Sequence, residues 1–195
     1  DIEEMERMLN EYLEFARYQK NEETETANLN EVIKKIVEKY ENKEVNVNLE
    51  ENLTINMRLN SFKRCLMNLI DNGLSYGKKV EILAKKTLHN IIIFVDDDGP
   101  GIPDNAIPHL FDRFYRVDGS RSGRGKGSGL GLAIVKWIVQ QHNGEVAVES
   151  KVGEGTVFSV FIPSKLTLSS EVTLKETLTQ TLNIFRSGRG ESNKG

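Results

Sequence analysis

Hydrophobic positions along this chain follow two periods, and each change of period marks an element. Ile2, Met5, Met8, Leu9, Tyr12, Leu13 and Ala16 recur at helical spacing with Glu and Arg between them, which predicts one amphipathic helix over residues 1–18. One such helix cannot bury its own stripe, so it needs a partner helix from this chain or another. The polar stretch Gln19–Ala27 reads as a linker. Asn30 is placed to cap a helix carrying Val32, Ile33, Ile36, Val37 and Tyr40 on one face. Val45, Val47 and Leu49 alternate with polar residues, as do Leu53, Ile55 and Met57, which predicts a strand pair. Phe62, Cys65, Leu66, Leu69 and Ile70 return to helical spacing within Ser61–Tyr76.

Val80–Ala84 and Ile91–Val95 read as strands, the second nearly all β-branched and so expected to be buried on both faces. Leu130–Gln141 is a helix ended by Asn143-Gly144, and Val146–Glu149 and Val157–Ile162 are closing strands. Helices alternating with paired strands predict a two-layer α/β sandwich. The expected organisation is the amphipathic helix over 1–20, a linker over 21–29, a compact domain over 30–163 and an extension over 164–195. The extension carries a weak stripe through Leu166, Leu174 and Leu182, and its last ten residues read as disordered.

Composition narrows the classes. The 195 residues hold 26 Lys+Arg against 29 Asp+Glu, a formal charge of −3, which argues against a nucleic-acid binder held by bulk charge. The lone Cys65 excludes an internal disulfide framework. His89, His109 and His142 share no metal-ligand spacing. No apolar run approaches the ~20 residues that span a bilayer. The chain starts at Asp1 without a signal-peptide pattern and reads as a piece of something longer.

Three glycine clusters interrupt the pattern at element ends. Asp97-Asp98-Gly99-Pro100-Gly101-Ile102-Pro103 follows the apolar strand, Gly127-Ser128-Gly129-Leu130-Gly131-Leu132 opens a helix, and Gly153-Glu154-Gly155-Thr156 joins the last two strands. A glycine run at a helix start aims backbone N–H groups and the positive dipole end at one point, which suits phosphate. The same run also fits a plain helix start with packing glycines. It matches neither a dinucleotide fingerprint nor a P-loop, because it does not directly follow a strand and Lys126 precedes the glycines. Before it, Arg116, Arg121, Arg124 and Lys126 crowd a glycine- and serine-rich loop, which is either a solvated loop or a lid over a polyphosphate. Asn68 and Asn72 stack one turn apart on one helix face. They are either surface amides or hard oxygen donors beside a Mg²⁺ that phosphates also hold.

Taken in order, the asparagine helix, Asp-x-Gly-x-Gly, Phe-x-x-Phe, Gly-x-Gly-x-Gly and Gly-x-Gly-Thr resemble the nucleotide-binding domain of bacterial sensor histidine kinases, within the GHKL ATPase superfamily. The likeness covers roughly Asn30–Pro163. Leu110–Arg116 and Gly129–Val135 point to the kinase branch. Asp1–Met5 and Ala27–Asn30 look similar to osmosensor kinases of the EnvZ type. The resemblance implies a Bergerat-type mixed sheet on about three helices, with ATP and Mg²⁺ as cofactors. Asn72 would ligate Mg²⁺ and Asn68 support it. Tyr76 would lie near the nucleotide. Asp97 would accept the adenine amine, and Gly99, Gly101 and Ile102 would pass beside the base. Thr156 would sit on the adenine side. Lys126, Gly127, Gly129, Leu130, Gly131 and Leu132 would surround the phosphates, and Arg113 and Arg116 would reach the γ-phosphate.

The same resemblance makes residues 1–20 the second helix of a dimerisation and phosphoacceptor hairpin. The acceptor histidine is then expected upstream of Asp1, and the three histidines here are expected to be surface or packing residues. It further implies a homodimeric parent, an OmpR-like response regulator as partner, no nucleic acid, and a place as the cytoplasmic portion of an inner-membrane-anchored bacterial receptor. The fragment itself could be monomeric. Two departures stand out. Ser75 occupies a position where the family often has a basic residue. Gly73 replaces the usual Ala and is expected to weaken its helix by about 1 kcal/mol. The competing readings are a GHKL ATPase that never uses histidine, and a degenerate module that only senses nucleotide.

Overall fold

The computed structural model describes residues 2–18, 22–117 and 129–164. Helix α1 spans Ile2–Tyr18. Strand β1 (Glu25–Asn28) leads into α2 (Leu29–Val37), followed by β2 (Glu44–Leu49), β3 (Thr54–Met57) and α3 (Leu59–Tyr76). Then come β4 (Lys79–Lys86), β5 (Asn90–Asp97), α4 (Gly131–Gln141), β6 (Glu145–Lys151) and β7 (Gly155–Pro163).

Five strands form a mixed sheet in the order β2-β4-β5-β7-β6, in which β2 runs parallel to β4 and the other pairs are antiparallel. One face carries Val80, Ile82 and Ala84, then Ile91, Ile93 and Val95, then Phe158, Val160 and Ile162. These alternate along their strands, so they share a face. Against them pack Leu29, Ile33 and Ile36 of α2, Phe62, Leu66 and Ile70 of α3, and Val135, Ile138 and Val139 of α4. Each fully buried side chain of this kind contributes about 1.5–3 kcal/mol. The expected two-layer sandwich is therefore the observed one. Strand β5 is buried at every position, as its unbroken apolar run requires.

Three local expectations are corrected. The cap of α2 is Asn28, whose side chain accepts the Glu31 amide at 3.3 Å, while Asn30 lies inside the helix and donates Nδ2 to the Glu50 carbonyl. The strands read as a pair do not pair: β2 joins the main sheet, and β3 pairs with β1 in a small sheet of its own. That strand comes from the stretch read as linker, whose Glu-Thr-Ala-Asn has no apolar alternation to betray it. Helix α3 also begins two residues earlier than its apolar spacing suggests, at Leu59.

On α1, Ile2, Met5, Leu9, Tyr12 and Leu13 remain exposed. No helix among the described residues is long and apolar enough to cross a membrane. Gln19–Asn21, Asp118–Ser128 and residues 165–195 lie outside the described residues, and with them Lys126, Gly127 and the stripe of the C-terminal extension.

Candidate functional site

The end of β5 builds one side of the site. Asp97 is the last residue of β5 and is 7% exposed. Its carboxylate accepts the Gly99 amide at 2.9 Å, which folds the following loop back over it. Burial pushes the Asp97 carboxyl up to about 6, against the opposing pull of the Gly99 amide. A buried carboxylate gains from further donors, and the amine of adenine is one.

The loop is held by backbone contacts that only glycine permits. A Cβ on Gly99 would come within 2.7 Å of Asp97 Oδ1 and 3.3 Å of Tyr76 Cβ. Gly101 has φ +76°, and its Cβ would fall 2.2 Å from the Lys151 carbonyl oxygen. Gly155, with φ +122°, leans on the Asp97 carbonyl. Asp97 and Thr156 are direct partners in the β5–β7 register. The second and fifth motifs are thus one structure, and Tyr76, Asp97, Gly99, Gly101 and Thr156 gather there.

Ser150 ties this corner together and was not expected. Its Oγ accepts the Ile102 amide at 2.7 Å, donates to the Gly155 carbonyl at 3.1 Å and bonds the Thr156 hydroxyl at 2.8 Å. A serine near the end of a strand carries no motif, so only the pairing of β6 with β7 reveals it. Asp98 was likewise not singled out. Its Oδ1 accepts the Lys78 and Lys79 amides at 2.7 and 2.9 Å, linking the turn after α3 to the glycine loop.

The other side is made by α3 and α4. Asn68 donates Nδ2 to the Gly131 carbonyl at 3.2 Å, so the asparagine face of α3 abuts the start of α4. Asn72, half-buried one turn on, has no protein partner for its amide among the described residues. Leu130 precedes α4, whose first turn has neither a side-chain cap nor an acidic residue. A Cβ on Gly131 would meet nothing within 4 Å among the described residues. Leu132 is half-buried on the first turn.

Arg113 and Arg116 sit apart in character. Arg113 is exposed and shares a shallow cleft with Tyr12, Leu130, Ala133, Ile134 and Trp137. Arg116 is half-buried, two residues beyond Phe114. Phe114 adopts φ +63° while its amide donates to the Gly129 carbonyl at 3.0 Å. Gly129, itself at φ +77°, has no room for a Cβ beside the Phe114 backbone.

None of the histidines is presented to this site. His142 is buried, accepts the Arg58 amide on Nε2 at 2.9 Å and bonds the Ile138 carbonyl through Nδ1 at 2.8 Å. His109 pairs with Asp112 on the surface.

A family model described as histidine kinase-, DNA gyrase B-, and HSP90-like ATPase matches residues 57–166, which span every one of these motifs. The chain belongs to this family. Within this ATPase family it is similar to sensor histidine kinases. It is 44% identical over 105 residues to the sensor histidine kinase CusS of Escherichia coli K12, covering 52% of this chain and 22% of that protein. It is 42% identical over 99 residues to the sensor histidine kinase YkoH of Bacillus subtilis, covering 50% and 22%. The chain thus spans about a fifth of the length of these relatives. The catalytic domain of histidine kinase ThkA, in a nucleotide-free form, matches with a TM-score of 0.64 at 25% identity, over 73% of this chain and 98% of that one. A mycobacterial sensor histidine kinase, MprB, matches at 0.63 and 25%, over 73% and 99%. Sequence and fold together are those of the ATP-binding catalytic domain of two-component sensor histidine kinases.

Proposed function

We propose that the chain binds Mg·ATP between the Asp97 corner and the start of α4, and that its parent moves the γ-phosphoryl group to a histidine and then to an aspartate of a response regulator. The observation that carries this is that α3 touches both neighbours of the proposed site: Gly73 packs against Asp97, and Asn68 bonds the Gly131 carbonyl. A buried carboxylate ends β5, the Asn72 amide on α3 has no partner among the described residues, and α4 starts on a glycine without a side-chain cap.

The residues fit the nucleotide. Asp97 would fix the adenine amine, with Gly99, Gly101, Ile102, Tyr76 and Thr156 around the base. Leu130–Leu132 would offer backbone N–H groups to phosphate, with Gly129 in the turn before them. No group of three or more His, Cys, Asp or Glu side chains that could hold a metal occurs among the described residues. A Mg²⁺ would be held by the Asn72 amide, supported by Asn68, with phosphate and water completing its shell. When bound, Mg·ATP would supply the phosphoryl group and the metal charge that neutralises it. The chain's own part is to orient and to balance charge, the larger share of catalysis in phosphoryl transfer. Arg113 and Arg116 flank Phe114 and are the proposed γ-phosphate contacts, and Lys126 and Gly127 are proposed to lie around the phosphates.

The acceptor histidine would be supplied by a helix paired with α1, whose exposed stripe suits a dimeric four-helix bundle. A membrane-anchored receptor, an OmpR-like regulator and an osmosensor subtype belong to the same reading; the subtype rests on Asp1–Met5 and Ala27–Asn30 alone. Incubation with γ-labelled ATP tests the division of labour. The chain should bind nucleotide without acquiring label, and stable label on His89, His109 or His142 would overturn this.

A further inference from the structure

The helix that carries Asn68 and Asn72 has no cap of its own. Arg58, which precedes α3, makes no capping bond through its side chain, and the first turn contains no acidic residue. The leading amides and the positive dipole end of an 18-residue helix need an acceptor. Glu22 supplies it from 38 residues upstream. Its Oε1 accepts the Asn60 amide at 2.5 Å, and its Oε2 accepts the Ser61 amide at 3.0 Å and the Ser61 hydroxyl at 2.7 Å. Burial opposes ionisation of Glu22, but these three bonds outweigh it and hold the carboxyl below its ordinary range.

Strand pairing delivers this residue. Glu25 pairs with Met57 and Asn28 with Thr54, and continuing the antiparallel register sets Glu22 beside Asn60. Tyr18, where α1 ends, precedes Glu22 by only four residues. On its other side the start of α3 is fixed by the Arg58 amide bonding His142 at the end of α4. Further along, Asn68 bonds the Gly131 carbonyl. Asn60, Ser61, Asn68 and Asn72 thus lie on one continuous helix, whose start and middle are both tied to α4.

We infer that Glu22 is a positioning residue for nucleotide binding: by capping α3 from the segment that follows α1, it couples that segment to Asn68 and Asn72. The inference rests on the nucleotide reading proposed above. Coupling of this kind is reciprocal. If loss of the Glu22 contact weakens nucleotide binding, nucleotide must tighten the Glu22 contact by the same factor.

The test is Mg·ATP calorimetry on the full chain, combined with amide exchange at Asn60 and Ser61. Glu22→Ala should bind Mg·ATP roughly threefold to tenfold more weakly, and Glu22→Gln, which keeps one acceptor oxygen, should fall between it and the wild type. Saturating Mg·ATP should slow exchange at both amides in the wild type by a similar factor, and not in Glu22→Ala. Thr26→Ala removes the Thr26–Asn56 hydrogen bond in the same strand pair and should leave affinity unchanged. Ser61→Ala removes only the hydroxyl arm, should give a smaller loss in the same direction, and carries the test if Glu22→Ala does not fold. A folded Glu22→Ala with affinity within about twofold of wild type, or exchange unaffected by nucleotide, overturns the inference. A wild-type chain that binds no Mg·ATP overturns the nucleotide reading itself.

Discussion

Asp97 and Gly99 close a loop on each other: the amide of the glycine donates to the carboxylate two residues before it, at 2.9 Å. This leaves a carboxylate pinned and buried at the end of a strand that is buried at every position. Such a group costs stability. Its raised pKa, about 6 against an ordinary 3.8, corresponds to a cost of about 1–3 kcal/mol above pH 6.

The sign follows from proton binding. Between pH 4 and 6 the folded chain holds a proton on Asp97 that the unfolded chain has lost, so this group's penalty fades as pH falls through 6. Asp97→Asn, which keeps an oxygen for the Gly99 amide, should raise the unfolding free energy of the nucleotide-free chain at pH 7–8 by about 1–3 kcal/mol. Denaturant melts at pH 8 and pH 5 check this; a variant less stable than wild type at pH 8 would contradict it.

His142 acts in the opposite direction. Burial lowers its pKa, with the nearby Arg58 charge adding to the effect while the Ile138 carbonyl and Glu22 oppose it. The neutral ring is needed because Nε2 accepts the Arg58 amide. Protonation replaces that acceptor with a donor, so stability from this group is full above about pH 6.5 and is lost as pH falls below it. In the Asp97→Asn background, where the opposing titration is removed, unfolding free energy should decline from pH 7 to pH 5. A His142 ring signal that titrates above 6.5 by NMR would contradict this.

Gly73 reverses a propensity argument. Glycine inside α3 should weaken the helix, and alanine should repair it. A Cβ there would stand 2.7 Å from Val80 Cγ2 and 3.2 Å from Asp97 Cβ. Gly73→Ala should therefore destabilise the chain by about 1–3 kcal/mol through overpacking. Adding Val80→Ala should recover part of the loss, a non-additive outcome readable from melts of the two single variants and the double.

Asp98 offers a test of loop positioning. Its Oδ1 accepts the Lys78 and Lys79 amides, and the bonds from these amides hold its carboxyl below the ordinary range. Asp98→Ala should release the turn after α3 from the glycine loop and weaken nucleotide binding several-fold. Asp98→Asn keeps the acceptor oxygen and should restore most of the affinity. If both substitutions weaken binding equally, the carboxylate charge rather than its geometry is what matters.

Much of the fold was legible because its elements announce themselves by period. The apolar run of β5 and the helical spacing of α3 and α4 are strong local signals. The small sheet was not legible, since β1 is polar and gains its place only by pairing with a strand nearly thirty residues away. The same holds within the site. Asp97, Gly99, Gly101 and Thr156 stood out because glycine clusters mark them, and the structure brings them together. Ser150 and Glu22 carry no motif, and Asp98 is only the variable position within one; each matters through two or three hydrogen bonds, most to residues distant in sequence. Gly73 was noticed but misjudged, because its neighbour Val80 lies on a strand and not on its own helix.

The most direct test of the central reading is calorimetric titration of the full chain with Mg·ATP, alongside Asp97→Asn and Asn72→Asp. The wild type should show one saturable site, and both variants should lose most of its affinity. Wild-type affinity retained in a folded Asp97→Asn or Asn72→Asp, or no binding by the wild type at millimolar nucleotide, would contradict it.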